Sequence, residues 1–181
     1  ESEEPEEKPE PEEKPEKIED GIYTIYSALD DKKVLDIRGG SAENGAYLQI
    51  NETNGTDVQK FQIVYNDQGY YTIINKASGK VLDIKGGNTA QGTEVWQYSA
   101  NGSIAQQWDI VPVKGEYYML VAKSCGRSME VIGSSAESGT GIQINDVSND
   151  DGQLFLFEKI EEAEGPEEKP EPEEKPEKIE D

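Results

Sequence analysis

The 181 residues contain no histidine and a single cysteine, Cys125. The first absence removes the commonest general base and the commonest neutral metal ligand. The second excludes an internal disulfide and any multi-cysteine metal site. With no imidazole to activate it, Cys125 reads as an idle or buried thiol. No stretch approaches the roughly 18–20 apolar residues that a membrane-spanning helix needs. Positive charge is scarce as well: 17 Lys and Arg stand against 39 Asp and Glu, a formal net charge of −22. No basic patch exists to displace counterions from phosphates, so nucleic acid is excluded as a partner. An apolar period of 3.6, the mark of an amphipathic helix, is missing throughout.

What is scarce is also unevenly placed. Residues 1–20 and 161–181 hold eight of the nine prolines and none of the 9 Tyr, 3 Phe and 2 Trp. Each end carries a net −8, which leaves −6 for residues 21–160. The acidity therefore belongs to the ends and says little about a ligand for the middle. A segment rich in Glu, Pro and Lys and free of aromatics buries too little apolar surface to offset chain entropy, so both ends are expected to be disordered linkers. They are copies: PEEKPEPEEKPEKIED runs from Pro5 to Asp20 and again from Pro166 to Asp181. Linker, domain, linker is the arrangement expected of one bead from a tandem array, with further domains in the parent chain. In polyproline II the sixteen residues would span about 50 Å. A solubilising spacer is the plainer reading of the same composition.

The middle, 140 residues from 21 to 160, suits one domain with a real core. It repeats itself. Val34-Leu35-Asp36-Ile37-Arg38-Gly39 returns as Val81-Leu82-Asp83-Ile84-Lys85-Gly86 and as Ser128-Met129-Glu130-Val131-Ile132-Gly133, so an acid recurs at 36, 83 and 130. Twenty-three residues after each acid comes Gln-x-aromatic: Gln59-Lys60-Phe61, Gln106-Gln107-Trp108 and Gln153-Leu154-Phe155. A glycine stands nine residues after each acid, at 45, 92 and 139. A phase of 47 held through two periods sets three units at about 21–66, 67–113 and 114–160. Within each, short runs of period 2 are separated by Gly, Asn and Asp, the pattern of strands and turns. Four strands per unit predict about twelve strands, all-β, and three-fold repetition predicts a closed small barrel.

These motifs resemble the ricin B-type lectin family, sugar-binding modules also classed as carbohydrate-binding module family 13. The resemblance covers 21–160 and omits both ends. It implies a β-trefoil, a six-stranded barrel capped by three hairpins. It also implies that each unit can carry a shallow sugar pocket. There an Asp on the second strand accepts from neighbouring hydroxyls, an aromatic on the third strand stacks on the sugar's C–H face, and amides complete the polar set. The chemistry stands by itself: a carboxylate offers acceptors spaced for vicinal hydroxyls, and a ring offers flat apolar area at little entropic cost.

Carried onto this chain, the second unit is best equipped, with Asp83 as the acid, Tyr98 as the stacking ring, and Asn101 and Gln106 nearby. Trp96, where the family often has Gln, lies on the same strand face as Tyr98. The first unit has Asp36, Gln49 and Gln59, with Asn51 at the stacking position, Asn54 close by, and Tyr47 as a candidate ring. The third has Glu130, one methylene longer than Asp, with Gln143 and Asn145, and reads as degenerate. Two competing readings stay beside these. The acids can simply fix a turn, and the three closing glutamines can be structural, bonding loop backbone.

Catalysis finds no support: there is no histidine, metal cluster or nucleophile elbow, and three acids related by repetition suit equivalent binding sites. The expectation is a non-catalytic module needing no cofactor and no metal, with glycans or polysaccharide as partners and galactose- or xylose-type sugars as ligands. A secreted or cell-surface location follows by analogy. A protein-interaction or protease-inhibitor trefoil, or a spacer without sugar binding, is the alternative from another class, because fold alone does not separate them.

Overall fold

The computed structural model describes residues 17–161. Twelve strands fall four to a unit: β1 Gly21–Ser27, β2 Lys33–Ile37, β3 Leu48–Glu52 and β4 Phe61–Tyr65; β5 Tyr71–Asn75, β6 Val81–Ile84, β7 Val95–Tyr98 and β8 Trp108–Lys114; β9 Tyr117–Ala122, β10 Ser128–Val131, β11 Ile142–Asn145 and β12 Phe155–Ile160. The helical turns among the described residues are three-residue 3₁₀ turns.

Antiparallel pairing closes six strands into a ring. β1 pairs with β4, β4 with β5, β5 with β8, β8 with β9, β9 with β12, and β12 with β1. The remaining strands form hairpins β2–β3, β6–β7 and β10–β11 over one end of that ring. This is the β-trefoil that the family resemblance implies, and the closed barrel that the three-fold repetition predicts. Closure leaves the ring without free edges, which removes the usual route to edge-to-edge aggregation.

Period-2 alternation sends the large side chains inward. Phe61, Trp108 and Phe155, the closing aromatics, are fully buried, together with Ile25, Leu35, Ile63, Ile73 and Leu82. One contiguous core therefore draws on all three units.

The hairpins lock together about the pseudo-three-fold axis. Tyr47 bridges to Trp96, Glu94 to Gln143, and Gln49 to Gly141, so each unit's third strand starts against its neighbour's. The glycines at 45, 92 and 139 make this possible. Their φ values of 83°, 84° and 87° lie in the left-handed region, and each N–H donates across the axis, to the carbonyls of Gln97, Ile144 and Ile50 at 2.8 Å. A side chain there would be strained, which is why the glycine keeps the phase.

The domain boundary needs a correction. Lys17–Asp20, assigned by composition to the first linker, sit on the end of the ring away from the hairpins. Ile18 is 8% exposed and belongs to the core. It is the one apolar side chain other than proline in the first twenty residues, so averaging over the segment hid it. The rest of the expected linkers, 1–16 and 162–181, lies outside the described residues.

Candidate functional site

The acid of each unit sits on the second strand of its hairpin, opposite the third strand's residue 13 positions on: Asp36 pairs with Gln49, Asp83 with Trp96, and Glu130 with Gln143. That register gives each carboxylate a donor. Gln49 Nε2 donates to Asp36 Oδ1 at 3.0 Å, Trp96 Nε1 to Asp83 Oδ1 at 2.8 Å, and Gln143 Nε2 to Glu130 Oε1 at 3.0 Å.

The second donor is the closing glutamine. Gln59 Nε2 reaches Asp36 Oδ2 at 2.9 Å, Gln106 Nε2 reaches Asp83 Oδ2 at 2.8 Å, and Gln153 Nε2 reaches Glu130 Oε2 at 2.9 Å. The same amide donates to the carbonyl of Glu52, Ser99 or Asp146, and its oxygen accepts from the backbone N–H of Asn54, Asn101 or Ser148. All three glutamines are buried. They clamp the loop after the third strand and orient the acid, so their contact with a ligand would be indirect.

Counting lone pairs separates the units. A carboxylate has about four acceptor sites. Among the described residues Asp36 and Asp83 each take two hydrogen bonds, one per oxygen, and keep the other half. Glu130 takes four, because Asn145 Nδ2 reaches both its oxygens at 2.9 and 3.1 Å. The third acid is saturated from within.

The loop floor tells the same story. Gly86 and Gly87, at φ 63° and 64°, line the hollow of the second unit, and Gly39 and Gly40 that of the first. In the third unit Ser134 replaces the second glycine and holds a φ of 49°. Its hydroxyl fills the floor so closely that a Cβ on Gly152 would lie 2.5 Å away. The Gly-Gly to Gly-Ser change, unused in the sequence reading, is the signal that would have marked this unit as closed.

The second unit offers the larger hollow, about 550 Å³ against about 280 Å³ in the first. Asp83 lies at its base, 6% exposed. Tyr98, 38% exposed, forms one wall, stacked on Trp96 with centroids 5.7 Å apart and planes at 28°. Ile104, 51% exposed, also lines it. Asn101 lines the rim, and its Oδ1 accepts from the N–H of Ser103 in a tight turn. Gly86, Gly87, Ser103, Ile104 and Ala105 were not placed in the pocket from the sequence. Their shared position around the acid appears only once the loop folds back.

The first hollow is lined by Asp36, Gln49, Asn51, Asn54, Thr56 and Val58 among others. No ring stands where Tyr98 does; Asn51 occupies that place and accepts from the N–H of Glu52. Gln49 spends its other end on Arg38, whose Nε donates to Oε1 at 3.2 Å. Asn54 Oδ1 accepts from Thr56. Tyr47, expected beside this pocket, points across the axis instead. It packs on Trp96 at 6.3 Å, and its hydroxyl partners Lys85 Nζ at 2.7 Å. The strand bridge to Trp96 carries it out of its own unit.

A model of the ricin-type β-trefoil lectin-like domain matches residues 14–98 and, a repeat later, 57–145. Among solved structures, a designed three-fold symmetric protein, ThreeFoil, is 31% identical with a TM-score of 0.75; the match covers 78% of this chain and all of that one. An exo-β-1,3-galactanase from Clostridium thermocellum is 28% identical with a TM-score of 0.74, over 77% of this chain and 30% of the enzyme. The agglutinin of Rhizoctonia solani, 22% identical with a TM-score of 0.73, shares the fold over 81% of this chain and 99% of its own. No curated protein matches.

Proposed function

The chain belongs to the ricin-type β-trefoil lectin-like family, and from that premise we propose that it is a non-catalytic carbohydrate-binding module whose working pocket is that of the second unit. The observation that carries the reading is Asp83. It is the one acid among the three that joins spare acceptor capacity to an exposed ring on the neighbouring strand.

In this pocket the free lone pairs of Asp83 accept from two adjacent hydroxyls of a sugar. Tyr98 covers the C–H face opposite, and Ile104 shields its edge. Asn101 adds polar contact at the rim. Galactose- or xylose-type sugars, which present vicinal hydroxyls beside an apolar patch, fit that set; the likeness to part of an exo-β-1,3-galactanase supports the first of them. Asp36, without a facing ring, is a weaker second site. Glu130, with Gln143 and Asn145, contributes none.

Among the described residues Asp83 is the one carboxylate lining the pocket. Glycoside hydrolysis generally needs two carboxyl groups flanking the bond, so binding rather than turnover is the reading. Single shallow pockets hold ligand weakly, and the duplicated linker suits an array of beads whose linked sites gain by effective concentration. A secreted or cell-surface setting goes with polysaccharide as the partner.

The test is a glycan array and a polysaccharide panel with the wild-type chain and the variant D83A/Y98A. Wild type binding galactans or xylan and the variant not binding supports the proposal. Equal binding by both sinks it and favours a surface that uses the loops instead.

A further inference from the structure

Every residue of Lys17-Ile18-Glu19-Asp20 is engaged by the ring. Ile18 fills the core at the end away from the hairpins. Tyr71, almost wholly buried, donates its hydroxyl to the Ile18 carbonyl at 2.9 Å, and Tyr23 donates to the Glu19 carbonyl at 2.9 Å. The Tyr65 N–H, at the end of β4, donates to Asp20 Oδ1 at 2.8 Å. Lys17 Nζ lies 3.0 Å from the centroid of the Tyr65 ring, and Lys159 Nζ pairs with Glu19 Oε2 at 3.2 Å.

The notch thus reads a tetrapeptide: an apolar plug at its second position, a carboxylate at its fourth, and two main-chain carbonyls between tyrosine hydroxyls. Left empty, it would strand the buried Tyr71 hydroxyl without a partner, which costs roughly the desolvation of a polar group. An occupant is built into the design.

The sequence holds this tetrapeptide twice. Lys178-Ile179-Glu180-Asp181 is identical and lies outside the described residues. We propose that Lys178–Asp181 is an alternative plug for the same notch, entering a barrel of this sequence whose own Lys17–Asp20 has lifted away. The chemistry that seats one copy seats the other, since no contact above depends on a residue outside the four. Reach is sufficient. Sixteen residues, 162–177, separate the copy from the last described residue, about 50 Å in polyproline II. The end of β12 already lies beside the start of β1, Ile160 paired with Ile22.

The first copy holds the advantage because it runs straight into β1. The second therefore acts by exchange within one chain, where the end of β12 brings it beside the notch. This inference is independent of sugar binding, since the notch and the Asp83 pocket share no residue.

A cycle in the full chain tests it: I18D, I179D and I18D/I179D, followed by thermal melting and by sedimentation over a range of concentrations. I179D alone melts like wild type. I18D melts lower, and the double variant lower still, because the remaining plug has gone. A double variant indistinguishable from I18D overturns the proposal.

Should I18D fail to fold, the milder I18A/I179D chain is titrated with a synthetic peptide of residues 166–181, with tyrosine ring resonances as the readout. A saturable shift that disappears when the peptide carries Asp for its Ile supports the proposal. No shift overturns it.

Discussion

Trp96 and Gln49 occupy equivalent places in neighbouring units and hold equivalent acids: the indole Nε1 donates to Asp83 Oδ1 at 2.8 Å, the amide Nε2 to Asp36 Oδ1 at 3.0 Å. One residue type does this with a ring, the other without. The indole also backs Tyr98 and meets Tyr47, so in the second unit the brace of the acid is also the rear of an aromatic wall. W96Q should keep Asp83 oriented and the fold intact while weakening sugar binding. Calorimetry with a galactan or xylan oligosaccharide measures the loss, expected to be several-fold; unchanged affinity would show the wall is idle.

Within the pocket the two chief contributors should separate by size. Y98A removes a stacking surface of about 0.5–1.5 kcal/mol, up to about tenfold in affinity. D83A removes charge-assisted hydrogen bonds of about 1.5–3 kcal/mol each and should take binding below detection. The same assay ranks them, and the reverse order would mean the acid faces no hydroxyl.

The closing glutamines should matter to stability alike in every unit, whether or not the unit binds sugar. Q153L and Q106L each leave a carboxylate oxygen, a carbonyl and a backbone N–H without their amide. Each should cost about 1–3 kcal/mol per stranded group at most, read by urea denaturation. Only Q106L should also lower affinity.

Opening the third pocket takes three changes together. E130D shortens the acid, N145Y removes the donor that saturates it and supplies a ring, and S134G clears the floor. The triple variant should raise the number of sugars bound per chain by one, measured by calorimetry. E130D alone should not, since Asn145 and Ser134 still block the site.

At high pH the base of the barrel should fail first. Burial pushes the Tyr71 phenol up to about 12, with Tyr65, Asp109 and Asp20 acting in the same direction. In the unfolded chain it titrates near 10. Between about pH 10 and 12 the unfolded chain has released a proton that the folded chain keeps, so stability is full below that window and falls through it. Burial raises Tyr23 and Tyr26 too and adds to the slope. Y71F should flatten part of it in urea titrations on either side of the window.

The fold could be read from the chain because its signals are periodic. Gln59, Gln106 and Gln153 with their aromatics, the three acids and the three glycines repeat what the ring and hairpins repeat. The pocket was legible as far as it followed the same phase: Asp83, Tyr98 and Trp96 stand where the repeat puts them. What escaped broke the phase or depended on a loop closing. Ile104, Ser134 and the cross-axis turn of Tyr47 belong to single units. The donor role of Trp96 was hidden because its ring announced stacking first. Ile18 was lost in the composition of its neighbours.

The pairing of Ile22 with Ile160 bears on how the domain would carry load. Chain enters and leaves the ring at one end of an antiparallel pair. Tension applied through residues 17 and 161 would pull β1 and β12 apart like a zipper, one hydrogen-bonded rung after another. A pair loaded in shear would resist with all its rungs together. The first element to feel that pull would be Lys17 on the Tyr65 ring, and next the Ile18 plug. Such a domain would thus yield softly, lengthening by shedding a plug and a strand at a time.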